Sequence, residues 1–326
     1  MKTIRYYFIV LVLLSFAFPA SAQILFTDTL VTSQGDLVIH VLGHASVFFE
    51  FNGKAVYVDP YSKFYDYTKA VKADLILITH ADKDHFDTLA IGQIMKENTL
   101  IIYTQACAEK FAYADMDTIM GNGDSIYIMD LSVKAVPAYN EIETKHLKGV
   151  GNGYVIVFGE KTIYLCGDSD YIPEMDELEN IDVAFLPYSE PYNMTTEMMV
   201  EAVIKINPSI VVPYHYDDND ITPLLELLWD IPGIEIWTGR PMPSLVKDKH
   251  SNEAVIIFPV PVHDMLYCEK LSLNSSLYIF DMKGSLIMSG RIKEDGRWNV
   301  HFLDEGPYLL FIITEKNTYS GRFLKW

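Results

Sequence analysis

A short loop of this sequence concentrates side chains that bind metal ions. Directly after the apolar run ILIT, the segment HADKDH carries two imidazoles and two carboxylates, at His80, Asp82, Asp84 and His85. Because a tight loop can aim alternate side chains at one point, the residues at 80, 82 and 84 can converge, and His85 can serve a second ion. Imidazole and carboxylate together suit zinc, manganese or iron. The loop therefore predicts a site for a divalent metal.

Three further candidate ligands lie near the ends of predicted strands. His146 precedes one strand in ETKHLKG, Asp168 follows another in YLCGDSD, and His215 closes a third in VVPYHY. Strand ends are where an α/β sheet presents side chains to a common cleft. Together with the loop, these residues form a set large enough for two metal ions if one carboxylate bridges them.

The elements that must position these residues are predicted as a mixture of strands and helices between residues 36 and 261. Apolar runs rich in β-branched and aromatic residues predict strands in LVIHVLG, SVFFEF, KAVYVDP, ADLILIT, IYIMDLSVKAVPAY, GNGYVIVFGEKTIYLCGD, DVAFLPY and SIVVPYHY. Apolar spacing near 3.6 residues predicts helices at 86–98, 104–115, 195–207 and 221–231. The alternation of the two patterns predicts an α/β domain.

The pattern changes near residue 262. Beyond Cys268 the sequence alternates apolar and polar residues without helical periodicity, and hairpin turns are expected at Lys283-Gly284 and at 315–317. The sequence therefore predicts a first domain at 23–262 and a small all-β domain at 264–326.

The N-terminus has the layout of a secretory signal peptide at 1–22. Lys2 and Arg5 precede an apolar run, and the small residues Ala20-Ser21-Ala22 form a cleavage site. The run is shorter than the roughly 20 residues of a spanning helix, so we expect cleavage after Ala22 and no stable membrane insertion afterwards. A retained membrane anchor is the alternative.

Composition restricts the partners and the source of stability. The formal net charge of the 326-residue chain is −19, which repels phosphate backbones and disfavours nucleic-acid binding. Three cysteines give no disulfide framework. Half of the residues are hydrophobic, so stability must come from a buried core.

The segment THADKDH resembles the T-H-x-H-x-D-H signature of the metallo-β-lactamase superfamily. The similarity continues in the order that this superfamily uses and covers about residues 36–260. LGHASVFFEFNGKAVYVDP resembles the opening hairpins of its ascorbate-phosphate-lactonase-like branch. Later segments resemble those that carry the remaining ligands: VPAYNEIETKHLKGVGNGYVI, TIYLCGDSDYIPEM and FLPYSEPYNMTTEMMVEAVIKINPSIVVPYHY. The resemblance implies an αββα four-layer sandwich with metals along one edge.

The resemblance also implies a role for each candidate ligand. It assigns His80, Asp82 and His146 to a first metal, and Asp84, His85 and His215 to a second, with Asp168 bridging both. The segment of His146 varies in length, so Asn140 or Glu143 are alternatives there. Asp59, in VDP, would orient a ligand imidazole, or it would simply end a strand before Pro60.

Asp82 departs from the signature, which has a histidine at this position. A carboxylate is negatively charged and shorter than an imidazole, so the first site becomes harder and more anionic. We expect one or two divalent ions, zinc first, with manganese or iron as alternatives. A half-filled site, or an inactive one, are the other interpretations of this departure.

The predicted chemistry is hydrolysis by a metal-activated water. The resemblance places Asp84 where it holds the attacking water, which makes it the candidate catalytic residue. Tyr188, Tyr192 and Asn193, with Met194, lie before the last histidine strand and are candidates for substrate binding, or are simply packed loop residues. The expected substrate is a small-molecule ester, lactone or phosphodiester.

Two alternatives from other classes remain open at this point. The first is an inactive protein of this fold that presents a binding surface outside the cell. The second is a di-iron redox protein, since flavo-diiron members of the superfamily carry an acid where Asp82 stands. They need a flavin-bearing domain, however, and the C-terminal region here is too short and too rich in strands.

The C-terminal region resembles the sorting domain of type IX secretion in Bacteroidetes. The matching features are the turn at 280–284, the strand GPYLL and the closing GRFLKW. With the signal peptide, they predict a secreted or cell-surface protein that the secretion machinery recognises by its C-terminal domain. A periplasmic protein with an ordinary accessory β-domain is the alternative.

Overall fold

The computed structural model describes residues 25–326 except 112–116, 142–144, 218, 229–230, 232, 239–243, 249–253, 259–261, 269–274, 282–285, 292–295 and 315–317. The predicted signal peptide and the two predicted hairpin turns of the C-terminal region lie outside the described residues. Within the described part of the chain, no helix combines the length and apolar character needed to span a membrane.

The first sheet contains the N-terminal seven strands in sequence order. They are β1 (Phe26–Thr32), β2 (Gly35–Gly43), β3 (Ser46–Phe51), β4 (Lys54–Val58), β5 (Leu75–Leu77), β6 (Leu100–Tyr103) and β7 (Asp117–Ile119). Strands β1 to β4 pair antiparallel through short turns, whereas β4 to β7 pair parallel. The metal-ligand loop predicted at 80–85 begins three residues after β5.

The second sheet mirrors this arrangement. Its strands are β8 (Ser125–Ile128), β9 (Leu131–Ala138), β10 (Gly151–Phe158), β11 (Lys161–Leu165), β12 (Val183–Pro187), β13 (Ile210–Tyr214) and β14 (Glu235–Ile236). Strands β8 to β11 are antiparallel and β11 to β14 are parallel. Asp168 and His215 therefore follow two strands of the same sheet, each near its carboxyl end.

In the described part of the chain, four α-helices cover the outer faces of the two sheets. They are α1 (Thr88–Ile94), α2 (Gln105–Lys110), α3 (Thr196–Ile206) and α4 (Thr222–Leu228). Helix α3 shows why these segments fold as they do: Thr195 caps its first turn, and Asn207 ends it in a left-handed conformation. Its buried residues Met199, Ala202, Val203 and Ile206 recur at helical spacing and form one apolar face.

Apolar side chains fill the space between the layers. One core lies between the sheets, where Phe49 of β3 packs against Phe158 of β10 with ring centroids 5.1 Å apart. A second core lies between the first sheet and α1 and α2, and a third lies between the second sheet and α3 and α4. The order helix, sheet, sheet, helix confirms the predicted αββα sandwich.

A third, all-β sheet follows the sandwich and confirms the predicted β-rich C-terminal region. Its strands are β15 (Ser244–Asp248), β16 (Ala254–Phe258), β17 (Met265–Cys268), β18 (Ser276–Asp281), β19 (Leu286–Arg291), β20 (Arg297–Asn299), β21 (Gly306–Ile313) and β22 (Thr318–Lys325). The strand order is β19-β18-β21-β22-β15-β16-β17-β20. Because β15 and β16 belong to this sheet, we propose that the domain boundary lies before Ser244, whereas the sequence pattern places it between residues 262 and 264.

Several elements differ from the sequence-based expectation. Strands β1, β6, β7 and β14 were not predicted. Strands β6 and β7 have only four and three residues, which is too short for a clear sequence pattern. They form by parallel pairing, β6 with β5 and β7 with β6. Helix α1 is shorter than predicted because Asp87 caps it and its last turn ends at Met95 in an extended conformation. The predicted strand segment at 126–139 contributes to two strands, β8 and β9, because Met129 and Asp130 turn with positive φ.

Candidate metal centre

The candidate ligands meet at the edge of the sandwich, around the buried carboxylate of Asp168. Its Oδ1 atom lies 3.3 Å from the Nε2 of His85 and 3.4 Å from the Nε2 of His215. Its Oδ2 atom lies 3.5 Å from the Nε2 of His146 and 4.0 Å from the Nε2 of His80. Each oxygen of one carboxylate thus faces a different pair of imidazoles, which is the geometry of a bridging ligand.

The donor atoms fall into two groups that could each hold an ion. His80, His146 and Asp168 form one group, and His44, Asp84, His85 and His215 form the other; the donor atoms within each group lie within 4.8 Å of one another. The division matches the two halves expected from the sequence for six of the seven predicted ligands. His44 is an addition, and Asp82 stands outside both groups.

Asp82 lies at the margin of the first group rather than inside it. Its Oδ2 atom is 3.7 Å from the Nε2 of His146 and 3.9 Å from the Nε2 of His80, and its side chain is 39% exposed. The ammonium of Lys145 also lies 3.7 Å from this oxygen. The nearby imidazoles of His146 and His80 and the ammonium of Lys145 lower the pKa of Asp82 to about 2. The carboxylate is therefore ionised and can approach a cation.

His44 is the residue that sequence reasoning missed. Its Nε2 lies 3.2 Å from the Oδ2 of Asp84, and its Nδ1 lies 2.9 Å from the Oδ1 of Asp217. Its ring centroid is 3.7 Å from that of His215. The sequence does show a histidine directly after the glycine that ends β2, in LGHA, which could have identified it. Its partner Asp217, however, is 173 residues away along the chain, so the contact has no local sequence pattern. The contacts from Asp217 to His44 and from His44 to Asp84 fix the position of the Asp84 carboxylate.

Buried hydrogen bonds orient two of the imidazoles. Asp59, 1% exposed, accepts from the Nδ1 of His85 at 2.8 Å and from both the backbone N–H and the hydroxyl of Thr79. This contact with His85 is the one that the expected orienting role of Asp59 requires, and the role itself stays a prediction. On the other half, the Nδ1 of His146 lies 2.7 Å from the Oδ1 of Asn140, whose Nδ2 donates to Asp170. Both imidazoles therefore present Nε2 to Asp168.

Strained backbone conformations hold the site together. His44, Asp59 and His215 have φ values of 53°, 45° and 59°, in the left-handed region that side chains other than glycine rarely adopt. The N–H of His215 donates to the carbonyl of His44 at 2.9 Å, which ties the first sheet to the second. Next to Asp168, Gly167 has a φ of 70°, and a Cβ there would lie 3.0 Å from a backbone oxygen. Only glycine fits this turn without a shift.

The donor set fits a divalent metal. Among the described residues, the Nε2 atoms of His80 and His146 are buried without a hydrogen-bond partner, although both face Asp168. Burial, together with the neighbouring His85, lowers the pKa of His80 to about 3, so its imidazole is neutral and has a free lone pair. An unpaired buried nitrogen costs about 1–3 kcal/mol, and a cation at this position satisfies it.

Opposite charges balance the centre of the site. Burial alone would raise the pKa of Asp168, but His215 and His85 hold it well below its usual value. Burial would likewise lower the pKa of His85, whereas the carboxylates of Asp168 and Asp59 raise it well above 6.5. In the metal-free protein, a proton on His85 therefore supplies part of the positive charge that an ion would supply.

The three candidate substrate-binding residues occupy different environments. Tyr188 is buried, and its hydroxyl lies 3.0 Å from that of Thr196, so it packs in the core below α3. Tyr192 is half-exposed beside Lys145. Asn193 is 2% exposed, and both polar atoms of its side chain lack a partner among the described residues. Substrate binding by these residues stays a prediction, and the environment of Tyr188 is the least suited to it.

The fold and the histidine–aspartate centre define a metallo-β-lactamase-type protein. A family model described as the β-lactamase superfamily domain matches residues 38–215, which is more than half of the chain. The chain therefore belongs to the β-lactamase superfamily. This confirms the family predicted from THADKDH and the ordered segments, and with it the prediction of a metal-dependent hydrolase at the level of the family.

Individual relatives share the sandwich domain. A UPF0173 metal-dependent hydrolase of Nanoarchaeum equitans is 32% identical over 189 residues, which cover 55% of this chain and 83% of the relative. A crystal structure from Parabacteroides distasonis, provisionally described as a metal-dependent hydrolase, is 36% identical, with a TM-score of 0.62, and covers 65% of this chain and 97% of its own. The metallo-hydrolase Igni18 of Ignicoccus hospitalis is 25% identical, with a TM-score of 0.52 over 60% of this chain and 91% of its own.

The C-terminal region has a match of its own. A model described as a secretion system C-terminal sorting domain matches residues 256–325. This confirms the resemblance predicted from the hairpin motifs, and it indicates export. The match begins at β16, in line with the pairing of β15 and β16 in the third sheet.

Proposed function

We propose that this protein is an exported metal-dependent hydrolase that cleaves a small-molecule ester, lactone or phosphodiester. The observation that carries the proposal is the carboxylate of Asp168, whose two oxygens face two separate pairs of imidazoles. The names of the relatives as metal-dependent hydrolases support the same reaction class.

In this proposal His80, His146 and Asp168 hold one divalent cation, and Asp84, His85, His215 and Asp168 hold another. Such a cation, when bound, makes a water nucleophilic near neutral pH and polarises a carbonyl or phosphoryl oxygen. We expect zinc first, because imidazoles dominate both groups, and manganese or iron as alternatives. The marginal position of Asp82 supports a weaker first site and a tighter second site.

Asp84 is the proposed catalytic residue. Its side chain is 36% exposed, so solvent and substrate can reach it. The hydrogen bond from His44 lowers the pKa of Asp84 and keeps it a carboxylate at neutral pH. One oxygen contacts His44, which leaves the other to accept a hydrogen bond from the attacking water. His44, held in turn by Asp217, keeps the carboxylate in place.

The cellular location of the protein is part of the same proposal. The sorting-domain match and the predicted signal peptide together favour a protein that is released or displayed at the cell surface, rather than retained in the periplasm. The secretion machinery is the expected partner of the C-terminal sheet. A net charge of −19 supports a small-molecule substrate over a nucleic acid.

The test combines metal removal with a substrate panel. Full-length protein purified without chelators is assayed against aryl esters, lactones and phosphodiesters, before and after dialysis against a chelator. We expect activity on at least one class, loss of it on metal removal, and recovery on addition of zinc, manganese or iron. A Phe49→Leu variant, with a conservative change in the inter-sheet core, controls for general destabilisation. Full activity in the stripped protein, or in His85→Ala, would refute the proposal.

A further inference from the structure

Lys145 and Tyr192 form a positively charged wall at the exposed edge of the first donor group, which consists of His80, His146 and Asp168. The Nζ of Lys145 lies 4.8 Å from the centroid of the Tyr192 ring and 3.7 Å from the Oδ2 of Asp82. The two side chains are 47% and 52% exposed. We propose that this pair binds an anionic group, a carboxylate or a phosphate, which the substrate carries beside the bond that is cleaved. This inference rests on the proposed hydrolase function and narrows its substrate class.

The wall is tied to the metal centre through short connections. Lys145 directly precedes the buried His146 in the chain, so its ammonium lies within one side-chain length of the first donor group. The backbone of Tyr192 is fixed because its carbonyl accepts a hydrogen bond from the Nδ2 of Asn140 at 3.2 Å. The same Asn140 orients His146. The backbone that carries the ring and the ligand that neighbours the cation are therefore both fixed by Asn140 before a substrate arrives.

A second lysine of the same loop, Lys148, differs from Lys145 because it forms a close ion pair with a carboxylate. Lys148 also lies over a tyrosine ring, 4.7 Å from the centroid of Tyr139, but its Nζ is 2.6 Å from a carboxylate oxygen of Glu174. Lys145 has no carboxylate at hydrogen-bond distance among the described residues. Its ion-pair partner Asp82 lies 3.7 Å away, at the margin of the first proposed metal site, and a cation bound there would attract this carboxylate away from the lysine.

The surrounding charge makes this lysine decisive for substrate choice. The centre contributes the carboxylates of Asp82, Asp84 and Asp168, within a chain of net charge −19. Outside the metal centre the chain is strongly acidic, so a fixed positive group at this position favours an anionic substrate where the remaining surface repels it. The aromatic face of Tyr192 holds the ammonium by a cation–π contact and offers an apolar surface to the remainder of the substrate.

The experiment compares anion binding by Lys145→Gln with that of the matched variant Lys148→Gln. Metal-loaded, full-length protein is titrated with inorganic phosphate, phenylphosphonate and benzoate by calorimetry, and the metal content of every variant is measured. We expect Lys145→Gln to weaken binding of phenylphosphonate or benzoate about tenfold, with unchanged metal content. Whichever of these two anions shows the larger loss identifies the natural group as a phosphate or a carboxylate.

Two further variants separate charge from packing. Lys145→Arg retains the positive charge, and we expect it to restore anion binding to within about threefold. Tyr192→Leu removes the aromatic face, and we expect it to weaken anion binding about two- to fivefold. Equal anion affinities in Lys145→Gln and Lys148→Gln would overturn the inference. So would a Lys145→Gln variant whose only change is tighter or weaker metal binding, because Lys145 would then be a counter-ion of Asp82 alone.

These outcomes are distinguishable from failure of the proposed hydrolysis. If no substrate in the panel is cleaved but phenylphosphonate or benzoate binding depends on Lys145, the anion-binding inference stands and the hydrolase proposal fails. If esters are cleaved with the same KM and kcat by Lys145→Gln and by the unchanged protein, whether the ester is neutral or anionic, the hydrolase proposal stands and the inference is overturned.

Discussion

Replacing Asp59 by asparagine isolates the part that hydrogen bonding plays in metal binding. The carboxylate of Asp59 is 1% exposed and accepts from the Nδ1 of His85 at 2.8 Å, from the N–H of Thr79 at 2.8 Å and from its hydroxyl at 2.6 Å. An asparagine has one acceptor oxygen and one NH₂ group, so at least one of these donors must face another donor. The packing volume is nearly unchanged.

The expected magnitude follows from this conflict. If the new NH₂ group faces His85, the imidazole must accept at Nδ1 and carry its proton on Nε2, the atom that faces Asp168. Changes of this kind next to a metal ligand cost about 10–100-fold in metal affinity, which corresponds to about 1.4–2.7 kcal/mol. If the NH₂ group faces Thr79 instead, the unpaired buried N–H costs about 1–3 kcal/mol of folding stability. Either arrangement therefore produces a measurable loss, of metal affinity in the first case and of folding stability in the second.

The assay is competition for zinc between the protein and a chromophoric chelator at pH 7, with thermal unfolding measured in parallel. Asp74→Asn is the matched control, because Asp74 accepts from the backbone of Ala55 and from Lys96 rather than from the metal centre. We expect its zinc affinity to equal that of the unchanged protein. If Asp59→Asn bound zinc with unchanged affinity and unfolded at the same temperature, the orienting role of Asp59 would be refuted.

Three other predictions concern neighbouring groups. His44→Ala should reduce metal affinity several-fold by freeing Asp84, measured by the same competition; unchanged affinity would contradict the contact. Because the pKa of His85 lies above 6.5 in the metal-free protein, metal binding at pH 7 should release about one proton and weaken as pH falls; calorimetry in two buffers of different ionisation enthalpy should detect this proton, and identical heats would contradict it. Asp87→Ala removes the cap of α1 and should cost about 1–2 kcal/mol in urea unfolding, whereas Lys83→Ala, on the exposed loop, should cost little.

The loop and the strand-end residues were predictable because their chemistry is local. A buried strand followed by closely spaced imidazoles and carboxylates identifies a ligand loop, and the ends of parallel strands must share one edge of the sheet. Asp168 and His215 follow β11 and β13 of one sheet, so their approach depends only on topology. The alternation of strands and helices predicts an α/β domain, whereas the four-layer sandwich is what the resemblance to the metallo-β-lactamase superfamily implies.

What could not be predicted depends on contacts between distant segments. His44 acquires its role from Asp84 and from Asp217, and neither pairing has a signature in the sequence. Asn140 was considered as an alternative ligand, whereas it orients His146 because its amide reaches the Nδ1 of that imidazole. Strands β15 and β16 join the third sheet by pairing with β22 and β17, partners that the local pattern does not specify.

The position of Asp82 relative to the metal ligands could not be predicted for a different reason. The sequence identifies a carboxylate where the superfamily signature has a histidine, but it does not reveal how far that carboxylate reaches. In the fold it lies 3.7 Å from the Nε2 of His146 and pairs with Lys145, outside the tight group of donors. Its distance from the imidazoles depends on the folded path of the loop and on contacts with segments far away in the sequence.

Anomalous diffraction at the absorption edges of zinc, manganese and iron, from crystals grown without chelators, tests the central claim most directly. We predict a peak within about 2.0–2.3 Å of the Nε2 atoms of His85 and His215. A second, weaker peak should lie between His80 and His146, with Asp168 between the two. Crystals soaked in zinc, manganese and iron that showed no peak at these imidazoles would contradict the account.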